Sequence, residues 1–157
     1  MTAFTIRLAT CADLPFVVET AGRLVAFGPP PWRTAGEIVG AEARSLERYF
    51  TTPDAGAHLL IAEDESGAGA GFIYLEILQD YFTHETHGHV GILAVTEAAE
   101  GRGAAAALMR TAEDWARAQG FRRLTLNAFE GNTRARKTYE HLGYRVEIVR
   151  YVKLLDG

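Results

Sequence analysis

"LAVTEAAEGRGAAAALM", residues 93–109, decides how this sequence is read. An apolar run ends at Val95, a polar turn follows, and glycines then open an alanine-rich helix. Small residues between a strand and a helix let successive main-chain amides converge, and the positive end of the helix adds to their pull on an anion. The stretch reads as a phosphate site. A plainer reading, in which the glycines only start the helix, stands beside it. Two familiar phosphate loops do not fit. Gly101, Gly103 and Ala106 satisfy G-x-G-x-x-[GA], the spacing of a dinucleotide-binding turn. That turn is tight, whereas here the residues from Thr96 to Glu100 intervene, and Asn127 stands where an acidic residue would take a ribose hydroxyl. Too little chain follows the glycines for repeated βαβ units, and the absence of G-K-[ST] excludes a Walker loop.

Working outward, "FTIRLA" (Phe4 to Ala9) alternates as a strand does, and Thr10 with Asp13 forms a capping box for a helix ending before Gly28. The prolines of "GPPPW" forbid regular structure, and a second helix is expected from Thr34 to Phe50. "AHLLIAED", "AGFIYLEILQD" and "HVGILAV" (His89 to Val95) read as strands, the first two joined by a hairpin turn at "ESGAGA". The helix that follows runs from Gly103 to Gln119 and stops at Gly120. "RRLTLNAF" is a strand, Asn132 caps a short helix ended by Gly143, and "YRVEIVRYVKLL" is a last strand. The expected fold is α/β, of the α+β type: one domain over residues 1–157, in the order β-α-α-β-β-β-α-β-α-β. Its mixed sheet of about six strands carries helices on both faces.

The C-terminal third carries a resemblance. "ILAV" followed by "EGRGAA" is similar to the [QR]-x-x-G-x-[GA] signature of the GNAT superfamily of acetyl-CoA-dependent N-acetyltransferases, with Gly103 and Ala105 at the small-residue positions. "NAFEGNTRARKTYEHLGY" resembles the same family's N-x-x-A-x-x-x-Y-x-x-x-G-[FY] segment through Asn132, Ala135, Tyr139, Gly143 and Tyr144. The resemblance spans nearly the whole chain and is strongest from Leu93 to Tyr144. Glu100 departs from it, because the family has Gln or Arg there. A carboxylate beside a pyrophosphate is unfavourable unless it points away or a cation such as Arg102 offsets it.

The resemblance implies acetyl-CoA as co-substrate and direct attack of a primary amine on its thioester. The pyrophosphate would lie on the main chain of Glu100, Gly101, Arg102, Gly103, Ala104 and Ala105, and the pantetheine arm along Leu93, Ala94 and Val95. Asn127, Asn132, Ala135 and Tyr139 would line the cofactor from the other side. An amide near Leu93 would polarise the thioester carbonyl. Tyr139 is implied as the acid for the departing thiolate, although helix periodicity alone would make it a core aromatic. His89 and Glu76 are the candidate bases, and a water chain serves equally well. A non-catalytic acyl-CoA-binding module on the same fold is the alternative reading; it would need neither Tyr139 nor a base.

Composition narrows the partners. The chain has 157 residues, 48% apolar and 23% charged, with a net charge of -4. That balance gives no general attraction to nucleic acid or to an anionic membrane. Cys11 is the lone cysteine, the N-terminal residues do not form a signal peptide, and no run is long enough to span a bilayer. The expectation is a cytoplasmic enzyme acting on a small-molecule or peptide amine, with a homodimer, common in the family, left open. His84, His87 and His89 lack metal-ligand spacing and read as a polar rim. Trp32, Tyr81 and Phe82 sit on loops where acceptor pockets vary, or they are ordinary packing aromatics.

Overall fold

The computed structural model describes residues 3–156. Strand β1 (Thr5–Leu8) leads through a 3₁₀ turn into α1 (Leu14–Ala21), and α2 (Ala35–Thr51) follows. The Asp13 carboxylate accepts from the Thr10 amide (2.7 Å) and from both Arg7 terminal nitrogens (2.8 and 2.9 Å), which anchors the entry to α1. The expected helix to Gly28 is interrupted. It tightens to 3₁₀ over Gly22–Val25, starting at a glycine that contributes little to α-helical stability. Thr34 caps α2 reciprocally: its hydroxyl accepts from the Glu37 amide and the Glu37 carboxylate from the Thr34 amide (3.1 and 2.9 Å).

Strands β2 (His58–Glu63), β3 (Gly69–Gln79) and β4 (Thr86–Val95) form an antiparallel meander beside β1. Helix α3 (Ala104–Ala118) then carries the chain over the sheet to β5 (Leu124–Leu126), which pairs parallel to β4, and α4 (Thr133–His141) follows. Strand β4 starts three residues before the expected His89, because Thr86, His87 and Gly88 pair with Gln79, Leu78 and Ile77 of β3. Side-chain polarity hides a strand that its neighbour specifies.

Alternation along the strands sends side chains to two cores. Phe72, Tyr74, Ile92 and Ala94 pack with Val17, Ala21 and Leu46 of α1 and α2. Ile73, Leu75 and Val90 pack with Leu108, Met109 and Ala112 of α3. Helices therefore cover both faces, as expected. Phe72, Leu46 and Leu108 are fully buried, and truncating any of them to Ala should cost about 2–5 kcal/mol.

The expected count of about six strands is corrected to five among the described residues, in the order β1-β2-β3-β4-β5. Residues 145–156 are in no strand, and their side chains are exposed. The alternation that predicted a strand is present, but no neighbour pairs with it. Among the described residues no helix is long and apolar enough to cross a membrane.

Candidate active site

The parallel ladder between β4 and β5 holds three pairs, Gly88–Leu124, His89–Thr125 and Val90–Leu126, and ends there. Opposite, the β3–β4 register slips between Tyr74 and Leu75, so that Tyr74 pairs with Ile92 and Leu75 with Val90, leaving Gly91 bulged. A bulge bends its strand and increases the local twist. Residues 91–95 of β4 therefore have no strand beside them on the β5 side among the described residues. Leu93, Ala94 and Val95 line this opening with main chain, as an added strand requires.

Thr96 ends β4, its hydroxyl accepting from the Ala99 amide, and the chain turns through a 3₁₀ segment, Glu97–Ala99. Gly101 (φ 76°) and Gly103 (φ 94°) adopt the left-handed conformation that glycine takes without strain. Gly103 caps α3 without a side chain to occupy the helix end. Ala107 is the first residue whose amide reaches back, to the Gly103 carbonyl at 3.0 Å. The amides of Gly101, Gly103, Ala104, Ala105 and Ala106 donate to nothing among the described residues. Five unmatched donors at the start of a 15-residue helix make a ready anion cradle. The donor set fits a pyrophosphate, and the opening of β4 lies next to it in the chain.

Glu100 is neutralised, though by different partners from the expected Arg102. Arg23 Nη2 donates to Glu100 Oε2 at 2.9 Å, Arg134 forms a second ion pair with the same carboxylate, and Arg23 Nε donates to the Val95 carbonyl at 2.9 Å. Sequence reasoning missed Arg23. The only local signal for it was a cation at the point where the first helix weakens. Arg102 instead lies near Asp64, whose pKa is lowered chiefly by hydrogen bonds from Ser66 and Ala68, with Arg102 a smaller influence.

On the other side of the opening, Asn132 caps α4 by accepting from the Ala135 amide (3.3 Å), as expected of a helix start. Tyr139 of α4 is half-buried against the α3 core and packs edge-on to Tyr144 at 6.3 Å. Burial pushes its phenol pKa up, so the proton stays on at neutral pH. No hydrogen bond to its hydroxyl is found among the described residues. Asn127 is exposed just beyond β5.

Glu76 and His89 are cross-strand partners, brought together on the face covered by α1 and α2. Burial raises the Glu76 pKa, Asp54 raises it further, and Arg48 partly offsets both. Its carboxylate lies over Gly91: an added Cβ there would come within 2.7 Å of Glu76 Oε2. The bulge that opens β4 thus also makes room for this carboxylate. Burial, and then repulsion from Glu76, raises the pKa of Glu42 on α2 as well. His89 Nδ1 and His87 Nε2 both reach the Thr125 hydroxyl, at 2.8 and 3.1 Å. One hydroxyl proton serves one ring, so the other ring must donate. Burial, then the neighbouring His87, lowers the His89 pKa. Tyr81 and Phe82 stack edge-on at the β3–β4 tip, 85% and 75% exposed, so they are not core packing. Trp32 is likewise exposed.

The model of the acetyltransferase (GNAT) family matches residues 23–144. The dTDP-fucosamine acetyltransferase of Escherichia coli O6:H1 (strain CFT073) is 38% identical over 142 residues, 88% of this chain and 58% of that protein. The mycothiol acetyltransferase of Beutenbergia cavernae is 33% identical over 119 residues, 76% of this chain and 37% of that protein. The chain therefore spans little more than half, or less, of these relatives' lengths. Among solved structures, a ribosomal-protein-alanine N-acetyltransferase from Brucella melitensis biovar Abortus 2308 shares the fold with a TM-score of 0.71. It is 24% identical, and the match covers 98% of this chain and 100% of that one.

Proposed function

The chain belongs to the acetyltransferase (GNAT) family, and from that premise we propose that it transfers an acetyl group from acetyl-CoA to a primary amine within a ternary complex. Bound acetyl-CoA supplies an activated thioester carbonyl. The amides of Gly101 and Gly103–Ala106 hold its pyrophosphate, and the open edge of β4 pairs with the pantetheine arm. An amide near Leu93 donates to the carbonyl oxygen, where negative charge develops.

Two protons then need destinations. The Glu76 carboxylate takes the one that leaves the amine, directly or through a water. Its raised pKa makes it a stronger base than an ordinary carboxylate. His89 supports it from the neighbouring strand, with Nδ1 already engaged by Thr125. The Tyr139 hydroxyl gives its proton to the departing sulfur; burial keeps that proton in place until a strong base appears.

The acceptor is a cationic small-molecule amine. Burial and repulsion from Glu76 raise the Glu42 pKa, a cost that a nearby ammonium would offset. Two relatives are named for small molecules, as a dTDP-fucosamine acetyltransferase and a mycothiol acetyltransferase, which supports that class.

The observation that carries this reading is the row of unmatched amides beginning at Gly101, set beside an unpaired length of β4. Thiol release from acetyl-CoA, followed across a panel of primary amines, tests it. Turnover with at least one amine is expected. Tight binding of acetyl-CoA without turnover on any amine would mean a binding module instead.

A further inference from the structure

We infer that Thr125 is a positioning residue: it fixes His89 as the tautomer with its hydrogen on Nε2, so that His89 offers the site a donor and Glu76 is left as the base. The role in the reaction rests on the acetyl-transfer reading above, while the tautomer rests on geometry alone.

Alternation along the strands brings the three side chains together. Leu124 and Leu126 of β5 pack with the α3 core, so Thr125 between them turns to the opposite face. His87 and His89, two positions apart on β4, share that face, and the parallel register sets His89 directly opposite Thr125. Both rings converge on one hydroxyl, His89 Nδ1 at 2.8 Å and His87 Nε2 at 3.1 Å. Thr125 is β-branched, so few rotamers are open to that hydroxyl.

The lengths say which way the protons run. Hydroxyl donors make hydrogen bonds of about 2.7–2.8 Å, and N–H donors make bonds of about 2.9–3.0 Å. The 2.8 Å contact is thus Thr125 donating to His89 Nδ1, and the 3.1 Å contact is His87 Nε2 donating to Thr125. The other acceptor in reach of the hydroxyl, the Gly88 carbonyl, is 3.5 Å away, at the outer limit of a hydrogen bond.

Burial agrees. His87 is 9% exposed, and its Nδ1 is buried with no hydrogen-bond partner among the described residues. In the reverse arrangement that atom would be an N–H buried without an acceptor. In the arrangement above it is only a lone pair without a donor, and unpaired N–H groups are the rarer of the two in protein interiors. Burial, then the neighbouring His87, keeps the His89 ring neutral at neutral pH. With Nδ1 accepting from Thr125, its one hydrogen sits on Nε2. Such a ring has no free lone pair to take a proton from an amine. It donates instead.

Long-range nitrogen–hydrogen correlation NMR spectra of the isotope-labelled full chain, taken in mildly alkaline solution, read each tautomer directly and need no reaction. His89 and His87 should each show a hydrogen on Nε2 and a bare Nδ1. In Thr125→Val, which keeps the side-chain shape and loses the hydroxyl, His89 should become a mixture of tautomers. There kcat should fall about tenfold, with the acetyl-CoA KM unchanged, and Thr125→Ser should restore both properties. A hydrogen on Nδ1 of either ring in the wild type would overturn the proposal, and that spectrum does not depend on whether the valine variant folds. A folded Thr125→Val with the wild-type tautomer of His89 would overturn it as well. An expected wild-type spectrum without turnover on any amine would uphold the tautomer and count against acetyl transfer.

Discussion

Arg23 Nη2 lies 2.9 Å from Glu100 Oε2, a pairing that spans 77 positions of the chain and offsets the carboxylate next to the row of unmatched amides. Because the same guanidinium donates to the Val95 carbonyl, it also ties the end of β4 to the turn after α1. Arg23→Met should weaken CoA binding about tenfold by exposing the phosphates to Glu100. Adding Glu100→Gln should recover most of that loss. Calorimetric titration of all four combinations checks it, and strictly additive effects would rule the pairing out as a contributor.

For Tyr139→Phe, kcat should fall about 100-fold or more, with the acetyl-CoA KM nearly unchanged, because only the proposed proton donor is lost. The ring remains packed against Tyr144, so the melting temperature should hold. Steady-state kinetics and a thermal melt suffice. A purely structural tyrosine would leave kcat intact.

With Glu76 as the proposed base, the pH dependence follows from its titration. Its raised pKa means that the basic form is lost as pH falls through a value above the ordinary carboxylate range. kcat/KM should therefore climb with pH along an acid limb displaced upward, and Glu76→Gln should lower it about 100-fold at neutral pH and flatten that limb. Repulsion from Asp54 adds to that shift, so Asp54→Asn should move the limb to lower pH. A pH–rate profile for each variant decides the point.

Much of this was legible in the sequence where the determinants are local. The Thr34–Glu37 capping box, the Asn132 cap and the left-handed glycines at 101, 103, 120 and 143 stand where their residue types predict. The bulge at Gly91 was not legible, because it is defined by the slip against Tyr74 and Leu75 on another strand. Arg23 was hidden for the same reason, its partners lying far along the chain. Residues 145–156 show the converse: the strand pattern is plain, but a pattern does not supply a neighbour.

Asp13 offers a stability test apart from the site. Arg7, and then the Thr10 amide, hold its pKa below the ordinary value. Its stabilisation is therefore complete above the usual carboxylate range and is lost as pH falls through the depressed value. Asp13→Asn should cost about 1 kcal/mol at pH 7, and the gap from wild type should close in acid. Urea melts at several pH values measure this.

Titration of CoA into wild type and Gly103→Asp is the most direct test of the phosphate cradle. An added Cβ at Gly103 meets nothing within 4 Å, so the first side-chain atom has room, and the backbone at φ 94° is strained by any side chain. The wild type should bind one CoA per chain, and the variant roughly 100-fold more weakly, through charge repulsion and lost approach. Equal affinities would show that the main chain after residue 100 does not hold the phosphates.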